Sequence, residues 1–180
     1  VRSPGVPYLS PEIQKALRRS SGQAKKTIVT STTKLFFENA RGILVGITGT
    51  KGKGTTATLL YQILKNSHLG SRVSSKKNIH LIGNMGIPML DELPKLNKNS
   101  ISILELSSFQ LQDMNISPHI AVILDISQDH LNYHKSFKEY LNAKAQLVRN
   151  QLPSPQVLAS HGYFSAEKFL VLAPSRSQVS

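Results

Sequence analysis

The sequence contains no cysteine and no tryptophan, and it holds no long apolar run. Without cysteine, disulfide bonds and thiolate metal sites are excluded, and the composition is compatible with a cytoplasmic setting. A membrane-spanning helix needs a run of about 18 apolar residues, so none is predicted and no membrane partner is expected. The chain begins without a methionine or an apolar signal segment, and we therefore expect it to be a piece of a longer protein.

Acidic side chains are also scarce, which leaves a strongly basic chain. Its 22 lysines and arginines outnumber 10 aspartates and glutamates, for a formal net charge of +12 over 180 residues. Such a charge suits nucleic acid, but the basic residues are scattered and no aromatic side chains are interleaved with them. We expect polyanionic small molecules as partners and no nucleic acid. The length is sufficient for one domain with a substantial core.

The clearest motif lies at 43–56. An apolar run over 43–47 predicts a buried strand, glycines follow it, and apolar residues then recur at helical spacing. Gly46, Gly52 and Lys53 occupy the G-x-x-x-x-G-K positions of a P-loop, where backbone N–H groups, a helix N-terminus and a lysine bind phosphate. The Mg²⁺-binding serine or threonine that usually follows is replaced by Gly54, and a hydroxyl comes one place later at Thr55. A plain glycine-rich turn is the alternative interpretation.

Strand and helix patterns alternate along the chain, which predicts an α/β fold with a mostly parallel sheet flanked by helices. Helices are predicted over 10–22, 33–40, 56–65 and 136–150, the first with Ser10 as its N-cap and Pro11 at its first position. Strands are predicted over 27–30, 43–47, from 79, over 101–106 and over 120–124. Val157 and the run 169–172 are further candidates for strands, and 151–180 has no assigned role.

Polar residues follow two of these strands at the predicted phosphate-binding edge. Glu105 comes at the end of one strand, and Asp129-His130 follows the next. Ligands of doubly wound sheets bind at the carboxyl ends of the strands, where Glu105 would be a natural Mg²⁺ ligand. A solvent-facing Glu105 and a structural His130 are the alternatives. Asn84, which lies between glycines, is by itself better explained by a turn.

Lys144 is an anomaly in the predicted helix 136–150. The apolar residues of that helix recur every three or four positions, and Lys144 falls on the same stripe between Leu141 and Val148. A lysine on an inward face either extends its ammonium to solvent or is buried for a purpose. Burial would lower the pKa of the amine and leave it nucleophilic. Helical spacing alone does not choose between these alternatives.

Five separated motifs, in this order, resemble the central ATPase domain of the Mur ligases, over roughly residues 1–150. The motifs are Gly-Thr-Lys-Gly-Lys-Gly-Thr-Thr (49–56), Gly-Asn-Met-Gly (83–86), Glu-Leu-Ser-Ser-Phe-Gln-Leu (105–111), Asp-His-Leu (129–131) and Tyr140 with Lys144. The resemblance implies three segments. Residues 1–42 would join a preceding domain to the central one, 43–150 would be the ATP-binding core, and 151–180 stays an uncertain tail.

The resemblance also implies roles for residues. Lys53, His130 and Lys144 would act in catalysis. ATP would bind Gly49, Thr50, Lys51, Gly52, Lys53, Gly54, Thr55 and Thr56. Two Mg²⁺ ions would be held by Thr55, Glu105, His130 and Lys144, the last carbamylated by CO₂. Asn84, Ser107 and Ser108 would face the substrate. Gly54 is a departure from the usual motif and puts one metal ligand in question.

The motif that begins at Glu105 is similar to the family members that add D-glutamate. The implied activity is ATP-dependent amide ligation of D-glutamate to UDP-N-acetylmuramoyl-L-alanine through an acyl phosphate, in peptidoglycan precursor synthesis. The implied enzyme is monomeric and lies in the bacterial cytoplasm. The N-terminal UDP-binding and C-terminal ligase domains are not recognisable here, so we expect no ligation by this chain alone. A folylpolyglutamate synthase-like ligase, suggested by Gly54, and a non-catalytic nucleotide-binding fragment are the alternatives.

Overall fold

Five parallel strands form one sheet in the order β2-β3-β1-β4-β5. The structure, a computed structural model, describes residues 1–3, 5–19, 28–66, 78–83, 88–130, 132–151 and 156–159. The strands are β1 (Ile43–Thr48), β2 (Asn78–Gly83), β3 (Ser100–Glu105), β4 (Ile120–Ile123) and β5 (Gln156–Ala159). The central strands β1 and β3 are buried along nearly their whole length, as expected for a parallel sheet covered on both faces.

Six helices and one 3₁₀ turn are described. They are α1 (Pro11–Arg19), α2 (Thr32–Asn39), α3 (Lys53–Asn66), α4 (Met89–Glu92), a 3₁₀ turn (Leu93–Lys95), α5 (Ser108–Leu111) and α6 (Phe137–Arg149). Serine hydroxyls cap three of the helices, because a serine oxygen accepts a hydrogen bond from an otherwise unpaired N–H of the first turn. These caps are Ser31 for α2, Ser107 for α5 and Ser136 for α6.

The core has one layer on each face of the sheet. Helix α3 covers one face, where Ala57 packs with Val45, Ile47 and Ile103. On the other face Phe36 of α2 and Tyr140 and Leu147 of α6 belong to a larger apolar cluster. Because helices cover both faces of the sheet, the polar loops lie at the ends of the strands. In the part of the chain that the structure describes, no helix is long and apolar enough to cross a membrane.

The α/β fold with a parallel sheet is confirmed, with two differences in detail. The strand predicted over 27–30 is wrong for residues 28–30, which lie in no strand. Ser31 beside them bridges Arg2 and caps α2, and among the described strands β2 and β5 lie at the edges of the sheet. Helix α3 begins earlier than predicted, so Lys53 and Gly54 belong to its first turn. Val157 lies in β5, whereas 169–172 falls outside the described residues.

The N-terminal segment is fixed to α5 and to the two residues that follow it. Arg2 is buried and forms an ion pair with Asp113, and its guanidinium also donates to the carbonyls of Val6 and Phe109. The Tyr8 N–H donates to Gln112 Oε1 at 3.0 Å. These contacts place the first residues against the same end of the sheet that holds the P-loop.

Candidate nucleotide and metal site

The loop between β1 and α3 has a backbone shape that requires glycine. Gly49 has a φ of +155°, and a Cβ there would lie 2.7 Å from Leu124 Cβ. Gly52 has a φ of +79°, in the left-handed region where other residues are strained. The loop is also tied to the segment after β4, because the Thr50 N–H donates to the Asp125 carbonyl at 2.8 Å. The shape of the loop is therefore set by the protein itself.

The hydroxyl of Thr50 joins this loop to two other segments. It donates to the Ser127 carbonyl at 3.1 Å and accepts from the Ser127 N–H at 3.0 Å. The hydroxyl of Tyr140, on α6, lies 3.0 Å from it. Because its single proton goes to Ser127, Thr50 Oγ1 accepts from Tyr140. Tyr140 therefore connects α6 to the loop. The sequence analysis placed Tyr140 in a family motif but gave it no role.

Lys53 and an open cleft lie at the start of α3. The Lys53 Nζ donates to the Thr50 carbonyl at 3.0 Å, so the ammonium is held over the loop. The neighbouring cleft has a volume of about 410 Å³ and is lined by Gly52, Gly54, Thr55, Thr58 and Leu59. Gly52 of the glycine-rich loop and the first residues of α3 thus line one open space, and Lys53 lies between Gly52 and Gly54 in the sequence. A glycine-rich loop, a helix N-terminus and a lysine are the elements that together bind phosphate.

Lys144 is buried and points at the same loop. Its residue is 2% exposed, and its Nζ donates to the Gly49 carbonyl at 2.8 Å. The Nζ also lies 4.6 Å from the centre of the Tyr140 ring, within cation–π range. Burial, with a smaller contribution from the nearby charge of Lys53, lowers the pKa of the Lys144 amine to about 7. The alternative in which this side chain extends to solvent is therefore wrong.

Glu105 lies at the carboxyl end of β3, in register with Ile47 of β1 and Gly83 of β2. It lines a cavity of about 20 Å³ together with Gly54, Thr58 and others. A cavity of this size holds one water molecule. Among the described lining residues, Gly54 and Thr58 border both this cavity and the larger cleft, whereas Thr55 borders only the cleft. Gly54 thus borders both the cleft that Thr55 lines and the cavity that Glu105 lines.

His130 sits in a strained turn after β4. Its φ is +53°, and its side chain is 46% exposed with Nε2 3.4 Å from Asp129 Oδ2. The imidazole meets the Phe109 ring edge-on at 5.0 Å between centroids and lies 6.3 Å from the Tyr140 ring. Through Tyr140 it belongs to the same end of the sheet as Lys144 and the P-loop.

The proposed substrate residues are placed differently from one another. Ser107 caps α5, and its hydroxyl contacts Gln110 in a capping box. Ser108 is buried, with its hydroxyl 2.9 Å from His134 Nε2. Asn84 lies outside the described residues. His134 is the second residue that sequence analysis missed, and no periodic pattern or spacing in the sequence indicates it.

Metal binding would depend on groups beyond the ordinary ligand side chains. Within the described ranges, no group of three or more His, Asp or Glu side chains is placed to hold a metal ion. Mg²⁺ commonly takes only one or two carboxylates from the protein, with substrate phosphates and waters as its other ligands. Glu105 beside a cavity large enough for one water, and a buried amine of lowered pKa at Lys144, fit a site that the nucleotide completes.

Comparison with known proteins identifies the family. The model of the Mur ligase middle domain matches residues 47–162. The chain belongs to the Mur ligase family. This Mur ligase chain is 32% identical over 174 residues to the UDP-N-acetylmuramoylalanine–D-glutamate ligase of Symbiobacterium thermophilum, covering 97% of this chain and 35% of the relative. It is 39% identical over 150 residues to the enzyme of that name from Acetivibrio thermocellus, covering 83% of this chain and 29% of the relative.

A solved structure shows the same fold. MurF from Acinetobacter baumannii superposes with a TM-score of 0.53 at 24% sequence identity, covering 76% of this chain and 30% of MurF. The family resemblance and the α/β architecture are both confirmed by these matches. The Mur ligase chain spans about a third of the length of the curated relatives it matches.

Proposed function

We propose that this chain is the ATP-binding part of a ligase that joins D-glutamate to UDP-N-acetylmuramoyl-L-alanine. The observation that carries the proposal is the pair of lysines on one P-loop: Lys53 Nζ contacts the Thr50 carbonyl and Lys144 Nζ the Gly49 carbonyl. A phosphate-binding loop explains the first lysine, and a reaction that uses the amine would explain the burial of the second. The names of the matched relatives supply the two substrates.

The chemistry divides into two steps. The γ-phosphoryl group of ATP passes to the substrate carboxylate, which gives an acyl phosphate and ADP. The D-glutamate amine then attacks the acyl carbon, phosphate leaves, and an amide remains. Positioning and charge stabilisation dominate such a phosphoryl transfer. The amides of residues 49–56 and the Lys53 ammonium would hold the β- and γ-phosphates in line with the carboxylate.

Two Mg²⁺ ions would neutralise the charge of the phosphates when bound. Glu105 and Thr55 would take part in holding one ion, and His130 and Lys144 the other. Lys144 suits this task because an amine whose pKa is about 7 is partly deprotonated at neutral pH, and the neutral fraction can react with CO₂. The resulting carbamate would be an anionic ligand that faces the loop. Asn84 and Ser107 would lie on the side of the muramoyl substrate, whereas Ser108, which the family resemblance also places there, is buried against His134.

The remaining parts of the proposal concern the setting. Residues 1–42 would connect a UDP-binding domain to the core at 43–150, and a further domain would bring D-glutamate and close over ATP. The working enzyme would be a monomer in the bacterial cytoplasm. We expect no measurable D-glutamate turnover by residues 1–180 alone, because the groups that would hold the UDP moiety and the incoming amine are proposed to belong to those other domains.

Titration of the chain with ATP, with and without Mg²⁺, tests the proposal. We expect saturable binding in the presence of Mg²⁺ and much weaker binding in EDTA, because the metal offsets repulsion among the phosphates. Isothermal calorimetry with the wild-type chain gives both affinities. If ATP shows no saturable binding with Mg²⁺ and none in EDTA, the assignment of 49–56 as a nucleotide site is refuted.

Gly54→Ser is expected to strengthen metal-dependent binding. Gly54 lies in the first turn of α3 between the cleft and the cavity beside Glu105, so a serine there restores the usual hydroxyl ligand. We expect the Mg²⁺ concentration for half-maximal ATP binding to fall by about fivefold, because the added contact should contribute about as much free energy as one hydrogen bond. Gly54→Ala is the matched control, because it adds the same Cβ without a hydroxyl. An equal effect of both variants would show that helix stability, not a metal ligand, had changed.

A further inference from the structure

A buried histidine connects three segments of the site. His134 is 1% exposed, and its Nε2 lies 2.9 Å from Ser108 Oγ, at the start of α5. Its Nδ1 lies 3.5 Å from Glu139 Oε1, at the outer limit of hydrogen-bond length. Glu139 is itself fixed, since it accepts from Gln112 Nε2 at 2.9 Å and from the Lys135 N–H at 3.1 Å. The arrangement resembles a serine–histidine–carboxylate triad, but the hydroxyl of Ser108 is too buried to meet a substrate.

His134 also closes the turn that carries His130. The His134 N–H donates to the His130 carbonyl at 3.0 Å, and the Tyr133 N–H donates to the same oxygen at 3.0 Å. In the described part of the chain, His130 is the one non-glycine residue with a positive φ. A left-handed conformation of such a residue costs on the order of 1 kcal/mol and persists only where surrounding structure enforces it. The backbone N–H of His134 thus closes the turn, and the side chain of the same residue is buried against Ser108.

The same ring packs against the residue that reaches the P-loop. His134 meets the Tyr140 ring edge-on at 5.3 Å between centroids, and it stacks on the Phe109 ring at 5.8 Å. Tyr140 in turn contacts the Thr50 hydroxyl and lies under the Lys144 amine. One imidazole therefore bears on the position of His130 and on the position of Tyr140.

We propose that His134 is a positioning residue that holds His130 in its strained conformation for metal-assisted nucleotide binding. This inference rests on the proposed function. Ser108 acts with it by fixing the ring through Nε2, so the role of Ser108 is to place His130 and not to contact substrate. Replacing a residue that orients a metal ligand without binding the metal itself typically lowers metal affinity by about 10- to 100-fold.

A double-mutant cycle tests the inference. The measured quantity is the ratio of ATP affinities with Mg²⁺ and in EDTA, for wild type, His134→Leu, His130→Ala and the double variant. We expect His134→Leu to lower this ratio about tenfold. On the His130→Ala background it should lower the ratio no further, because the residue it acts through is gone. The melting temperature should fall with His134→Leu on both backgrounds, which separates the positioning effect from loss of core packing.

A second histidine, whose side chain is 9% exposed, provides the control. His80, on the edge strand β2, is paired with Glu92 at 3.0 Å. His80→Leu should lower the melting temperature without changing the ratio. Should His134→Leu not fold, Ser108→Ala removes only the 2.9 Å contact and should lower the ratio about threefold.

The outcomes separate the two proposals. If folded His134→Leu or Ser108→Ala leaves the ratio of ATP affinities with Mg²⁺ and in EDTA unchanged, the inference is overturned. It is also overturned if His134→Leu lowers this ratio as much on the His130→Ala background as in wild type. If wild type itself binds no ATP, the proposed function fails and the inference fails with it. If wild type binds ATP in a Mg²⁺-dependent way and His134 proves indifferent, only the inference fails.

Discussion

Lys144→Met should raise the free energy of unfolding at pH 6 by about 3–4 kcal/mol. The buried ammonium is the reason: the pKa of Lys144 is lowered from 10.5 to about 7, chiefly by burial. A shift of this size costs the folded state about 5 kcal/mol when the amine is protonated. Methionine has a similar length and no charge, and loss of the hydrogen bond to the Gly49 carbonyl offsets about 1 kcal/mol of the gain.

The pH dependence gives the prediction its sign. Between pH 7 and 10.5 the unfolded chain retains a proton on Lys144 that the folded chain has lost, so wild-type stability rises with pH in that window. The advantage of Lys144→Met should therefore be largest below pH 7 and should disappear near pH 10.5. Urea unfolding in CO₂-free buffer at three pH values measures this difference, because other groups titrate alike in both proteins.

Lys138→Met is the matched control for this experiment. Lys138 is exposed on the same helix α6, so its replacement should leave the stability nearly unchanged at every pH. A constant advantage of Lys144→Met across pH would show that the amine is not desolvated. In ¹³C-labelled bicarbonate, wild type and Lys138→Met should show a carbamate carbon signal that Lys144→Met lacks.

Lys53→Ala should weaken Mg²⁺–ATP binding by about 100-fold. Hydrogen bonds to charged groups contribute about 1.5–3 kcal/mol each, and the ammonium is already held over the loop by the Thr50 carbonyl. Calorimetric titration at fixed ionic strength measures the loss. Thermal stability should change little, because the Lys53 side chain is only half-buried.

Two comparisons make this second prediction specific. Lys65→Ala removes the same charge at the far end of α3 and should leave ATP affinity within about twofold, since exposed charges so distant are largely screened. Lys53→Ala should also raise the pKa of Lys144, because the Lys53 charge is one cause of its lowering. Equal losses with Lys53→Ala and Lys65→Ala would indicate general attraction of a polyanion and not a P-loop contact.

Much of the fold follows from patterns that act over short distances. The strands β1, β3 and β4 are apolar runs that a parallel sheet buries on both sides, and the capped start of α6 is readable from Ser136. The inward position of Lys144 followed from helical periodicity. The failed strand at 28–30 has suitable residues but pairs with no strand in the part of the chain that the structure describes, and pairing partners cannot be read from a local run.

The site was less predictable because its decisive contacts join distant segments. Thr50 and Tyr140 are 90 positions apart, and Ser108 and His134 are 26 apart. Helical spacing marks Tyr140 as inward without saying what its hydroxyl meets. His134 follows no repeat, and its role emerges only when three loops pack together.

The bonds from Thr50 to the Asp125 and Ser127 backbone bear on the kinetics of ligand capture. A loop that is hydrogen-bonded to the end of the neighbouring strand loses little conformational entropy when a ligand binds. Little binding energy is therefore used to order the loop. Encounter should then be governed by diffusion and by the surplus of positive charge, which makes the association rate fall with added salt. Any slow closure would have to reside in parts of the polypeptide other than this loop.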